Sequence, residues 1–480
     1  LICGNKTEKR RDMLAVADSL TVPQVFFNDN HIGGADSVLA TLAIWDGGNE
    51  KYNNALQRFQ VEIQAVPGPF DQRLSIPTTQ PLEDIQPLPR NETRNAIPLP
   101  DGSKASVFHV IKKLMEILPR TTVTFRATIH RSTFTGSQFV DKITNQFEAS
   151  TSDAIKFGKV LRRRHIISNI FEAKCDIDDT NDTNFRLTPF QTPEILNSFR
   201  VWTDRVDPNP MAILSRLRRM VSKIECFATD ERGQIDYIAA EKDPSFLSFD
   251  EATCELQGVS LWSMDDRTKL SFGINLYNLM VKHAIIKVGI STTYFTRLAF
   301  YKTLRYNIGG TLLSCDDVEH GILRANTRAP KELFPPFGKY DSRRELARPD
   351  LDPRIHFALN CGSKSCPSVE KFSSEKIEEE LKVVARGFCE DDGNVSIDFW
   401  KHELTLSMIF YWYRADFSRS TSELPRQIVK FLSGTRQTKL QEMIDSGRPI
   451  KVKFKTYEWS ANASRCKEYK GPKSIAARRW

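Results

Sequence analysis

Cys361 and Cys366 flank the short turn Gly362-Ser363-Lys364-Ser365, just after His356, and here the chain concentrates side chains that attack, coordinate or exchange electrons. A cysteine entering a turn of small residues meets converging backbone N–H groups, which favour the thiolate and hold an oxyanion. Four readings share these residues. The thiols are small buried hydrophobes. Or one of them is the nucleophile of a hydrolase or acyltransferase, with His283 or His356 as base and Asn275 or Asn278 as amide partner. A third reading is metal binding through His356, Cys361 and Cys366 with Cys315 or His320, although the four-residue gaps depart from the usual zinc spacing. The last is a disulfide between Cys361 and Cys366.

The other members of this set lie on a predicted helix over 269–287. There Asn275, Asn278 and Lys282 fall within about 60° of one another, with His283 at the edge of the stripe. Buried amides need partners, so the stripe either ties down neighbouring loops or faces a site shared with the cysteine turn. Periodicity also predicts helices over 211–224, 249–257, 374–388 and 404–416, with strands at 355–359 and 450–455. Upstream, helices fall over 108–118, 136–147 and 153–164, and strands over 165–171 and 184–187. Nearer the start, a helix over 6–17, a strand over 24–27, a turn at Gly33-Gly34 and a helix over 37–44 follow in order.

With 480 residues, 40% hydrophobic and 27% charged, the chain has apolar content for about two to four packed domains. The excess of 68 Lys+Arg over 60 Asp+Glu gives +8 and is not gathered in long basic runs. Nucleic acid is therefore not an implied partner, whereas a local patch for acidic lipid or an acidic protein is compatible. The most apolar stretch, 276–289, is interrupted by Lys282, His283 and Lys287 and falls short of the roughly 18 residues a membrane helix needs. Nine cysteines, an odd number, fit a reducing cytoplasmic setting better than a disulfide framework. Eight prolines between 66 and 100 mark an extended connector, and Pro193, Pro208 and Pro210 punctuate 192–210.

Three resemblances give these segments identities. Thr21-Val22-Pro23-Gln24-Val25-Phe26-Phe27 with His31-Ile32-Gly33-Gly34-Ala35-Asp36 resembles the second half of a glutaredoxin, a partial thioredoxin-like fragment. That implies a glutathione pocket of Val22, Pro23, Gly34, Ala35 and Asp36. The family's Cys-x-x-Cys or Cys-x-x-Ser has no counterpart and Cys3 lies outside its position, so thiol transfer lacks a nucleophile in this segment. Phe134-Thr135-Gly136-Ser137-Gln138-Phe139-Val140-Asp141, Ala154-Ile155-Lys156-Phe157-Gly158-Lys159-Val160-Leu161 and Asn184-Phe185-Arg186-Leu187 resemble the DEP domain. This implies a winged-helix-like unit that docks to a membrane surface or a membrane-bound signalling protein, with Arg162, Arg163 and Arg164 as the basic patch. Phe272-Gly273-Ile274-Asn275-Leu276-Tyr277-Asn278-Leu279, His283-Ala284, Asp317-Val318-Glu319-His320-Gly321-Ile322-Leu323-Arg324, Asp352 to Pro367 and a final Tyr457-Glu458-Trp459-Ser460-Ala461-Asn462 resemble the family catalogued as domain of unknown function 547. That family implies a mostly helical α+β domain and no settled activity.

The expected whole is a multi-domain α+β protein. It has a partial glutaredoxin-like segment over 1–50, a Pro-rich linker over 51–102, a DEP-like domain over 103–193, the third domain over 205–462 and a basic tail over 463–480. The expected role is a cytoplasmic signal-transduction or adaptor protein, peripheral to a membrane. The alternatives are a thiol-dependent hydrolase or acyltransferase in the third domain, and a glutathione-dependent oxidoreductase missing its catalytic half.

Overall fold

Short polar residues open the helices of residues 96–190. In the computed structural model, which describes residues 24–27, 30–34, 96–125, 128–171, 175–367 and 371–472, Ser106 Oγ accepts from the His109 N–H ahead of helix Val107–Ile117. Thr135 and Gln138 form a capping box ahead of Gly136–Phe147, and Ser150 accepts from the Asp153 N–H ahead of Thr151–Arg163. Each helix turns an apolar face inward, Ile111 and Leu114 from the first, Phe139 and Ile143 from the second, Phe157 and Leu161 from the third. They share one core with Phe134, Ile166 and Phe185 of the adjoining strands and loop.

The expected strands of this segment form as Ile167–Asn169 paired antiparallel with Asn184–Leu187. They belong to a larger sheet, ordered Thr121–Phe125, Thr128–Thr135, Asn184–Leu187, Ile167–Asn169. The first two strands escape the sequence pattern because threonines rather than large apolar residues carry their alternation. Strand Ile97–Pro98 pairs with Lys104–Ala105, so the folded segment begins inside the Pro-rich stretch.

In the separate unit Leu1–Arg90, Gln24–Phe27 pairs antiparallel with Asn30–Gly34, Val25 opposite Gly33 and Gln24 opposite Gly34. Gly33-Gly34 is therefore strand, not the turn expected there. Val22, Pro23, Ala35 and Asp36, and the helices over 6–17 and 37–44, lie outside the described residues.

The segment around 192–210 is anchored through its middle residues. Leu196, Asn197, Phe199 and Arg200 are all buried. Asn197 donates from Nδ2 to the Asn307 carbonyl (2.8 Å) and accepts from the Asn307 N–H (2.7 Å). Arg200 pairs with Glu251 (2.7 Å) and stacks over Trp202, while Phe199 enters the core of the preceding segment.

The third segment is built around helix Asp266–Val288. Asp265 caps its start by accepting from the Thr268 N–H, and Gly289, at φ +94°, ends it. Apolar residues surround this helix on all sides, as a fully enclosed helix requires: Leu270, Ile274, Met280, Val281 and Ile285 are all in the core. Helix Pro210–Phe227 packs along it. A second core gathers Phe357, Phe388, Phe410 and Phe417.

Two expectations fail here for local reasons. The span 355–359 is not a strand but part of a 3-10 turn, Pro353–Phe357, which Asp352 caps and Pro353 starts. The span 404–416 is not one helix. Its first residues form strand Glu403–Leu406 between Val395–Asp398 and Lys451–Phe454, and Ser407 then caps the short helix Met408–Trp412. The chain beyond 462 is partly structured rather than a free tail: Ala463–Arg465 pairs with Ile235–Asp236, and Tyr469 is fully buried. Among the described residues no helix is long and apolar enough to cross a membrane.

Gly136 marks where helix and loop touch. A Cβ there would stand 2.1 Å from the Asp178 carbonyl oxygen, a backbone atom that no rotamer change removes. Gly136→Ala is expected to lower stability by about 2 to 3 kcal/mol in urea denaturation, whereas Gly387→Ala, inside helix Ile377–Glu390 where a Cβ meets open space, should raise it by up to about 1 kcal/mol.

Candidate functional site

The polar stripe of the central helix and the cysteine turn meet. Asn278 donates from Nδ2 to the Ala358 carbonyl (3.0 Å) and accepts at Oδ1 from the Asn360 N–H (2.8 Å). Asn275 does the same for Phe372, donating to its carbonyl (2.7 Å) and accepting from its N–H (3.2 Å). Both carboxamides thus act as clamps between the helix and a distant loop. Asn360 closes the turn itself, accepting from the Gly362 N–H (2.7 Å) and donating to the Pro367 carbonyl (2.6 Å). Gly362 takes φ +84°, the left-handed conformation that suits glycine.

This closure brings the two thiols together without a bond between them. Cys361 Sγ and Cys366 Sγ are 2.8 Å apart, both cysteines are free and both are half-buried. The Cys361 N–H donates to Cys366 Sγ (3.0 Å). The Tyr457 hydroxyl lies 3.2 Å from Cys366 Sγ and 3.6 Å from Cys361 Sγ, and it accepts a hydrogen bond from Ser363 (3.0 Å). Tyr301 fixes the turn from the other side by donating to the Cys361 carbonyl (2.7 Å).

The environment splits the pair. The hydrogen bond with the Cys366 thiol, followed by those with the Ser363 and Tyr457 hydroxyls and the Ser363 N–H, outweighs burial and lowers the Cys361 thiol to about 6. Burial and the adjacent Cys361 sulfur push Cys366 well above the usual thiol range. The surroundings thus favour the thiolate at Cys361 and the protonated thiol at Cys366.

The thiol–imidazole pair expected from sequence is not formed, because both imidazoles are engaged elsewhere. His283 shares a 2.6 Å hydrogen bond with the Tyr306 hydroxyl through Nδ1, and its Nε2 faces Asp250 at 3.2 Å. Asp250 is also held by Lys287 at 2.7 and 2.9 Å. His356 bonds Asp416 through Nε2 (2.7 Å) and stacks on the Tyr413 ring at 3.8 Å. Arg324 grips the same Asp416 with two parallel bonds (2.7 and 2.8 Å) and donates to His320 Nδ1 (2.8 Å). Since a guanidinium only donates, His320 must be neutral at that nitrogen. Lys282 pairs with Glu225. Cys315 is buried, its thiol pushed well up by burial. Among the described residues no three His, Cys, Asp or Glu side chains gather as a metal-holding group.

Residues 261–389 match DUF547, a family of proteins of unknown function. No curated protein matches the chain. The DUF547 match is narrower than the span read from sequence. It holds the central helix, Tyr301, the π-helical turn Asp317–Leu323 and both cysteines, and ends at Cys389. Asp416, Tyr413 and Tyr457 come from beyond it. Asn360, Ser363 and Tyr457 stand in the strings quoted from the sequence but without a site role, and Tyr301 escapes the sequence reading altogether.

The basic triplet of the upstream segment is divided. Arg162 is paired with Asp176, whereas Arg163 and Arg164 are exposed at the end of helix Thr151–Arg163.

Burial, opposed by Glu319 and aided by Arg324 and His356, lowers His320 to about 4. Below pH 6.5 the unfolded chain binds a proton that the folded chain refuses down to about 4, so this stability is present above 6.5 and lost as pH falls through that window. Asp316, raised to about 7 chiefly by burial, titrates in the opposite sense. The difference between wild type and His320→Gln therefore isolates the histidine. Urea midpoints are expected to show wild type losing about 2 kcal/mol more than His320→Gln between pH 7 and pH 5.

Proposed function

We propose that Cys361 and Cys366 form a redox-active dithiol, carried in a signal-transduction or adaptor protein whose residues 103–193 dock it to a membrane surface or membrane-bound partner. The observation that carries the redox reading is the 2.8 Å separation of two unbonded sulfurs of opposite protonation tendency. A low-pKa thiolate attacks and a neighbouring protonated thiol resolves, which is the division of labour in thiol–disulfide exchange. The Cys361 thiolate attacks a disulfide R–S–S–R, forms a Cys361–S–S–R bond and releases one thiolate R–S⁻. Cys366 then passes its proton to the released R–S⁻ and attacks Cys361 Sγ, releasing the second R–S⁻. The dithiol has lost two electrons and the incoming disulfide has gained them.

A hydrolase would need a base at the nucleophile, and the described neighbours of Cys361 Sγ are a thiol and two hydroxyls. The glutathione-related resemblance over 21–36 supports thiol chemistry in the same chain. For docking, the support is the sequence of helix, hairpin, two helices and hairpin in 103–193, with Arg163 and Arg164 exposed.

Equilibration in buffers of graded reduced-to-oxidised glutathione ratio, followed by peptide mass spectrometry, is expected to show a Cys361–Cys366 cross-link. Cys361→Ser and Cys366→Ser should each abolish it. A pair that stays reduced while exposed Cys226 and Cys466 oxidise would remove the reading. Alkylation of Cys361 should be half-maximal near pH 6, against about 8.5 for a free thiol, and Tyr457→Phe should move that midpoint upward. Charge reversal of Arg163 and Arg164 should weaken co-sedimentation with anionic vesicles, most at low salt; wild-type protein that binds no vesicles at any salt argues against the lipid form of docking.

A further inference from the structure

A shallow groove runs beside the dithiol, lined by Arg297, Tyr301, Cys361, Ser363 and Trp459. Its enclosed part is about 20 Å³, room for one small polar group but not for a whole ligand. Arg297 and Tyr301 sit four residues apart on helix Tyr294–Thr303, hence on one face, and Tyr301 bonds the Cys361 carbonyl. The guanidinium lies over the Trp459 ring at 3.8 Å. Trp459 packs in turn on Tyr457 (4.6 Å) and Trp412 (5.3 Å). The cation is thus held on an aromatic ledge whose Tyr457 hydroxyl touches both sulfurs.

Arg297 stands out among the charges of this segment. Arg200, Arg324, Arg343, Arg348 and Arg354 each hold a carboxylate. The Arg297 side chain has neither an ion pair nor a hydrogen-bond acceptor among the described residues, although it is half-buried. Burial pushes its pKa down, against attraction from Tyr301 and Cys361. A partly desolvated guanidinium with unused donors carries a cost that a planar anion offsets through charge-assisted hydrogen bonds.

We propose that Arg297 binds a carboxylate of the disulfide that the dithiol reduces, selecting small disulfides built from carboxylate-bearing thiols. This rests on the dithiol reading above and adds the substrate class. Arg297 makes no bond in the exchange itself. It places the disulfide so that one sulfur meets the Cys361 thiolate, and the electrons and leaving thiolates pass as already written.

The test compares three probes of different charge in stopped-flow oxidation of the full chain: oxidised glutathione, neutral hydroxyethyl disulfide and dicationic cystamine. In wild type, the preference for oxidised glutathione over the neutral probe should shrink as salt is raised. Arg297→Gln is expected to lower the rate with oxidised glutathione about tenfold or more, leaving the neutral probe within about twofold and cystamine unchanged or faster. Arg297→Lys, which keeps the charge but not the fork, should fall between. Because each variant is judged by its own ratio between probes, a general loss of folding does not mimic the result. Equal slowing with all three probes would show Arg297 merely supporting the turn, and an unchanged rate with oxidised glutathione would also overturn the anchor. Wild type that reacts with none of the three would overturn the dithiol reading, and this inference with it; reaction that ignores charge would overturn the anchor alone.

Discussion

One carboxamide joins the central helix to the cysteine turn. Asn278 holds the Ala358 carbonyl and the Asn360 N–H, groups that would otherwise be buried without partners at about 1 to 3 kcal/mol each. Asn360 then spans the turn that it opens, from Gly362 to Pro367. Remove the first clamp and the second has no fixed origin; remove the second and nothing compels the two thiols to meet. An apolar residue at 278 would pack as well against the core but would leave that backbone unsatisfied, which is why a polar side chain stands on a helix enclosed on every side.

Two ionic networks share the same interior and leave the thiols to themselves. Asp250 with Lys287 and His283 links the central helix to the helix Pro244–Ala252, and Asp416 with Arg324 and His356 links three loops and turns. Buried pairs of this kind add little net stability, yet breaking one strands a charge. Their chemical effect is to occupy the imidazoles. The thiol pair is left with hydroxyls, a backbone N–H and one another, an environment that separates two thiols by protonation state without a general base.

Much of the helical framework was legible because its amphipathic spacing and its caps agree, as for Gly136–Phe147 and Thr151–Arg163. Where neighbours override spacing, legibility ends. Residues 404–406 have helical periodicity but are drawn into a ladder with Lys451–Phe454, a partner nearly fifty residues away. In the threonine-rich strands Thr121–Phe125 and Thr128–Thr135 the alternation is limited to Val123 and Phe125, too short to betray a sheet. For the site, the cysteines and asparagines announced themselves by type and position, and their convergence was posed as a question that only three-dimensional packing answers. The partners of the histidines and the roles of Tyr301, Tyr457 and Arg297 depend on contacts across tens of residues, for which a single sequence holds no local signal.

Tyr457 and Trp459 follow the cysteine turn by more than ninety positions, and the pairing of Ala463–Arg465 with Ile235–Asp236 fastens the segment that carries them. During synthesis the two thiols therefore leave the ribosome well before the residues that cover them. Through that interval they are ordinary cysteines, without the hydroxyl that touches both sulfurs or the indole that holds Arg297 beside them. The surroundings of the two sulfurs are complete only once residues 457–459 have been made and have packed against the turn.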